Sequence, residues 1–156
     1  MSNIYFPEEP ITFNDLFFVC YMIEMTARQL KQPNIYVVQT MGKPALERQL
    51  SIAETNHCLN PKQVSEEWIN EYHLTTGTCD VTDVNPNLTD KIPTALQMGK
   101  VYARLTASIT TDDGNLAESI LKVYASPICK YIDNYNTAAY YEPSYIQTRA
   151  FYNGSF

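Results

Sequence analysis

The stretch TFNDLFFVCYMIEMTARQL, residues 12–30, decides how the rest of the chain is read. Thr12 followed by Asp15 is the spacing of a reciprocal helix cap, and no Gly or Pro interrupts the chain from there to Gln32. Leu16, Val19, Cys20, Ile23, Ala27 and Leu30 fall on one helical face, and Phe17, Phe18, Tyr21, Met22 and Met25 cover much of the remainder. A helix apolar on nearly every side cannot lie on a surface; it belongs in the middle of a bundle or against a partner. Pro33 ends it.

Working outward, residues 1–11 hold Pro7, Pro10 and two acids, and read as an extended arm. Asn34 is placed to cap a short segment over 35–41, where Ile-Tyr-Val-Val suits helix or strand and helix is preferred because no second strand is near to pair with it; Gly42 stops it, and Pro44 suits the first turn of the next helix. Ala45, Leu46, Gln49, Leu50, Ala53 and His57 continue at helical spacing. Asn60 before Pro61 is another cap, followed by the stripe Val64, Trp68, Tyr72. Residues 75–91 lose periodicity and are rich in Thr, Asp, Asn and Pro, as a connecting loop would be. Thr94 with Gln97 and Asn115 with Glu118 open two more helices. The last carries Leu116, Ile120, Val123, Tyr124, Ile128, Tyr131 and Tyr135, with Pro127 inside it predicting a kink or break. The fold class is all-α: five to six helices in one domain over 1–156. The halves 12–74 and 92–140 are joined by the acidic loop 75–91, and a loose Tyr-rich tail follows at 141–156.

The chain's 156 residues are 45% hydrophobic, which excludes a wholly disordered chain. Net charge is −6, −4 of it before residue 79, so neither half offers the positive footprint of a nucleic-acid or anionic-membrane binder. The longest apolar run, residues 16–23, is far short of the roughly 20 residues of a membrane span. The first ten residues lack a basic segment and do not read as a secretory signal. Cys20, Cys58, Cys79 and Cys129 are irregularly spaced without a CxxC, as expected for reduced thiols in a cytoplasmic protein.

His57, Cys58, His73 and Cys79 are the residues on which a metal-dependent or Cys/His enzyme would have to be built. Their spacing matches no zinc motif. Side chains adjacent in a helix point about 100° apart, which argues against a direct His57–Cys58 pair. The acid pairs Glu66/Glu67, Asp80/Asp83 and Asp112/Asp113 read as solvated helix face or turn, and Asp80, Asp83 and Asp90 lack the spacing of a calcium loop. No phosphate loop, dinucleotide fingerprint or nucleophile elbow is present, and no cofactor or metal is implied.

The tail is more informative. Six of the 12 Tyr lie in residues 131–156, with Phe151 and Phe156, and only Arg149 is basic between Tyr131 and the end. Tyrosine brings a large apolar area and a polar tip with few rotatable bonds, which suits an interface. The tail either wraps over the protein's own helices or docks onto another protein or a second copy. Tyr140, Tyr141, Tyr145, Phe151, Tyr152 and Phe156 are the candidate contact residues.

Residues 16–72, with Phe17-Phe18-Val19-Cys20-Tyr21-Met22-Ile23-Glu24, then Ala53…His57, then Val64-x-x-x-Trp68-Ile69, resemble small helical domains of unknown function from operons of gut bacteria and mobile elements. Some of these lie beside suspected toxin genes. The resemblance implies a protein-binding role, antitoxin-like or adaptor, and transfers no catalytic residue. A small component of a phage or other assembly fits the same composition.

Overall fold

Thr12 and Asp15 form the expected reciprocal cap: the Thr12 N–H donates to Asp15 Oδ2 at 2.8 Å and the Asp15 N–H to Thr12 Oγ1 at 3.3 Å. This starts α1 (Phe13–Leu30), which ends where Lys31 turns left-handed at φ 53°. The computed structural model describes residues 2–156, and every regular element among them is helical. Next come α2 (Asn34–Asn56), α3 (Pro61–Glu71) and α4 (Ala95–Ile109), then α5 (Leu116–Tyr124), α6 (Cys129–Ile132), a 3-10 turn (Ala139–Tyr141) and α7 (Ser144–Asn153).

The caps at Asn60, Thr94 and Asn115 form as read from the sequence. Gly42 breaks α2 at φ 80°, ψ 173°, so 34–41 and 43–56 are two rods. Pro127 splits the last predicted helix into α5 and α6. With 34–56 taken as one element, the described residues hold seven α-helices. Three expectations change. The N-terminal arm is not extended: buried Asn3 turns it by accepting the N–H groups of Tyr5 and Phe6. Asn34 does not cap α2; Pro33 occupies that position and Asn34 is its first residue. The tail is not loose, because Pro143 leads into α7.

α1 is the centre of the packing. α4 lies along it most extensively, with α2 and α3 on other sides, while α5 packs on α2 and α7 on α4. The two stretches either side of the loop are therefore interleaved in space. Leu16, Val19, Cys20, Met22 and Ile23 are wholly buried, as are Leu46, Trp68, Met98, Tyr102 and Ile120 opposite. Each large apolar side chain so buried stabilises the fold by about 1.5–3 kcal/mol. Tyr102 and Tyr124 stack at 4.2 Å between α4 and α5. The loop over 75–91 is stitched to the end of α1 by Gly77 N–H donating to Leu30 O and Cys79 N–H to Lys31 O, both at 2.8 Å.

The α1–α4 seam depends on Gly99. A β-carbon there would stand 2.6 Å from Tyr21 Cα, a backbone atom that cannot step aside. Gly99→Ala must therefore push the two central helices apart. Urea unfolding is expected to show a loss near the upper end of the overpacking range, about 3 kcal/mol. A loss below about 0.5 kcal/mol, the level of a surface change, would contradict this close approach.

Candidate functional site

The C-terminal aromatics divide into an inner and an outer set. α7 is held by its inward residues: Gln147 is buried and its Nε2 donates to the carbonyls of Ala139 (3.1 Å) and Tyr140 (3.0 Å). Ala150 is buried too, and the Ser108 and Thr148 hydroxyls meet at 2.7 Å, fastening α7 to α4. Tyr140 and Phe151 are half-buried, Tyr140 against Tyr135 at 5.8 Å. Tyr141, Tyr145, Tyr152 and Phe156 point outward, with 82%, 71%, 68% and 47% of their surface exposed. Tyr145, Arg149 and Tyr152 follow the i, i+4, i+7 spacing of one helix face. Phe156 reaches Tyr131 edge-on at 6.0 Å, and Lys130 lies over the Tyr131 ring at 5.1 Å. Tyr131, read from the sequence as part of a buried stripe, is thus exposed and extends the outer aromatic set. One face of the tail wraps the protein's own helices and the other is presented outward.

Of the four residues on which Cys/His or metal chemistry would depend, only His57 and Cys58 meet. Cys58 Sγ lies 3.8 Å from His57 Nδ1, so the argument from helical angles fails. His57 is the C-cap of α2 and Cys58 lies in the turn beyond it, where helical spacing no longer applies. The Cys58 thiol also donates to Glu54 O at 3.7 Å. The His57 ring stands edge-on to Phe18 and lines a cleft of about 650 Å³ with Phe17, Phe18, Tyr21 and Leu96. Cys79 lines a different, smaller cleft, and His73 sits exposed beyond α3 in a left-handed conformation. Among the described residues no group of three or more His, Cys, Asp or Glu is placed to hold a metal ion, and all four cysteines are free thiols.

A buried polar cluster around Glu24 and Asp133 has no counterpart in any motif or spacing of the chain. Glu24, in the middle of α1, is buried, and Asn34 Nδ2 donates both to its Oε1 (3.3 Å) and to Oδ2 of half-buried Asp133 (3.1 Å). Tyr102 donates its hydroxyl to Asp133 Oδ1 at 2.7 Å. Glu24 Oε2 and the buried Tyr124 hydroxyl have no well-aligned partner, although the Tyr124 hydroxyl lies close enough to the Glu24 carboxyl to favour its charged form. Arg28 gives its Nη2 to the Tyr135 hydroxyl at 3.2 Å. Burial, and after it the Asp133 charge, push the Glu24 carboxyl from its ordinary 4.5 up to about 8, against the opposing pull of Asn34 and Arg28. Burial likewise lifts Asp133 from 3.8 to about 6. The Cys20 thiol and the Tyr102 and Tyr124 phenols are all pushed up, chiefly by burial, so they stay neutral around the pair.

No protein-family model, no curated protein and no solved structure matches the chain. No helix among the described residues is long and apolar enough to cross a membrane.

The buried acids make stability fall with rising pH. Both carboxyls hold their protons more tightly folded than unfolded, so deprotonation favours the unfolded chain. Their stabilisation is complete below the ordinary carboxyl range and is lost as pH climbs through about 6 for Asp133 and about 8 for Glu24. Urea midpoints measured across this window should decline steadily, and Glu24→Gln, which has no proton to lose, should flatten the upper part. A wild-type profile that rises or stays level over the window would refute the protonated pair.

Proposed function

We propose that this chain is a non-enzymatic helical protein that works by binding another protein, as an antitoxin-like or adaptor subunit or a small component of a phage or other assembly. The observation that carries this reading is the outer face of α7. Tyr145, Arg149 and Tyr152 are presented in line, flanked by Tyr141 and Phe156, on a helix already fixed by Gln147 and Ala150. Exposed Tyr and Arg on a rigid element are the residues that dominate binding energy at interfaces.

The chemistry of the face favours a partner with acidic and apolar side chains. In a chain of net charge −6, this region carries Lys130 and Arg149. The ion pairs of the described residues use Lys43, Arg48 and Lys122 instead. A symmetric contact between two copies centred on the same stripe would bring Arg149 against its own counterpart, which disfavours self-association there.

Point substitutions test this better than truncation, because removing α7 would also strip Gln147 and Ala150 from the packing. Tyr145→Ala with Tyr152→Ala should leave stability within about 0.5 kcal/mol of wild type. The pair should abolish recovery of a specific protein from the native cells, while Tyr5→Ala, at an exposed tyrosine outside the face, retains it. Sedimentation of the pure protein should show the same mass for both forms. A mass that falls in the double variant would mean the face pairs two copies, and an unchanged partner set would remove the proposal.

A second reading rests on the Cys58–His57 contact at the rim of the larger cleft. If His57 activates the thiol, iodoacetamide should modify Cys58 at least about tenfold faster than Cys79, with the excess lost in His57→Ala. Equal rates at these two exposed thiols would dismiss a nucleophilic role.

A further inference from the structure

α6 is the shortest α-helix among the described residues. It has no side-chain N-cap, and the element it packs on most is the 3-10 turn at Ala139–Tyr141 rather than any helix around α1. Asp133, its C-cap, nonetheless reaches the centre of the fold: the Tyr102 hydroxyl donates to it at 2.7 Å and Asn34 Nδ2 at 3.1 Å. Ile132 and Tyr135, either side of it in the chain, are buried, and Arg28 Nη2 donates to the Tyr135 hydroxyl at 3.2 Å. These contacts hold residues 129–135 closed on α1.

The pairing that closes the segment also loads it. The single Asn34 amide nitrogen serves both Asp133 and buried Glu24, so two carboxylates meet at one donor. Facing Glu24 are Cys20 and Arg28 of α1, Tyr102 of α4, Tyr124 of α5, Cys129 of α6, then Asp133 and Tyr135. Asp80 and Asp83 line the cleft beside them, and Lys31 acts on Asp80. Arg28 offsets one negative charge in this set. With one proton shared by the two acids the cluster is balanced, and losing it sets a second buried negative charge against the first. α1 cannot yield, because α2, α3 and α4 pack around it. The repulsion therefore falls on the α6 side.

We infer that residues 129–135 form a proton-operated latch: with a proton on Glu24 they lie closed on α1, and when that proton leaves to solvent they swing out while the rest of the bundle stays folded. α7 keeps its own hold on α4 through Ser108 and Thr148, so the opening is confined to α6 and the chain up to the 3-10 turn. The latch does not depend on what the outer face of α7 binds. Once opened, Glu24 meets water and ionises near its ordinary 4.5, whereas closed it holds its proton up to about 8. Opening releases that proton, so it becomes about tenfold more favourable per pH unit between about 6.5 and about 7.5 and levels off above about 8.

Two buried thiols report local and global opening separately, Cys129 in α6 and Cys20 in the middle of α1. Iodoacetamide labelling of the full chain, read by peptide mass spectrometry, is carried out from pH of about 6.5 to about 8.5, with a synthetic peptide of residues 126–132 correcting for the reactivity of the thiol itself. The corrected rate at Cys129 should exceed that at Cys20 by about tenfold or more, and should rise about tenfold between pH of about 6.5 and about 7.5. Glu24→Gln, neutral at every pH, should hold the Cys129 rate nearly level. Equal rates at the two thiols would mean that the whole bundle opens, and would overturn the latch. A corrected Cys129 rate that ignores pH, or one that climbs just as steeply in folded Glu24→Gln, would overturn it too. Where Glu24→Gln does not fold, the wild-type comparison of Cys129 with Cys20 across the pH range decides alone.

Discussion

The fold turns on how closely α4 can approach α1. A helix apolar around most of its circumference has to be enclosed, and the enclosure succeeds because Gly99 lets α4 settle onto the backbone at Tyr21. Once that seam is closed, α2 and α3 cover other sides of α1, and the hydroxyls of Thr26 and Ser65 meet at 3.1 Å between α1 and α3. α5 then locks onto α4 through the Tyr102–Tyr124 stack. The same enclosure takes Glu24 out of water, since it lies on the covered side of α1, away from exposed Asn14 and Gln29. The acid pair is thus a by-product of burying α1, tolerated because Asn34 and Tyr102 meet three of its four oxygens.

Local signals in the sequence were readable wherever a structural decision is local. Thr12, Asn60, Thr94 and Asn115 each cap a helix with atoms two or three residues away, so their neighbours suffice to identify them. The break at Gly42 and the split at Pro127 are likewise backbone properties of single residues. Asn34 misled because its side chain answers to Glu24 and Asp133, ten and ninety-nine residues away, rather than to its own helix. No periodicity could reveal that Asp133 lies beside Glu24, because the pairing exists only after α6 has been brought to α1.

α7 escaped notice for a different reason: its pattern of burial runs opposite to residue polarity. Gln147 faces inward to satisfy two carbonyls of the preceding turn, while Tyr145 and Tyr152 face outward, so a search for an apolar inner stripe finds none. The candidate contact residues were therefore legible as a composition, but their division into anchors and presented rings was not. The meeting of His57 with Cys58 was hidden similarly, because helical spacing was applied past the end of the helix.

The pairing of Tyr21 with Gly99 joins positions roughly eighty residues apart, and it has a consequence for how the chain is made. During synthesis α1, α2 and α3 emerge first, and they can touch one another but cannot cover the flank of α1 that α4 will occupy. Until residue 109 has left the ribosome, that flank remains bare, with the fully buried side chains of Tyr102 and Leu105 not yet there to meet it. The nascent chain therefore passes through an interval in which its central helix is only partly covered.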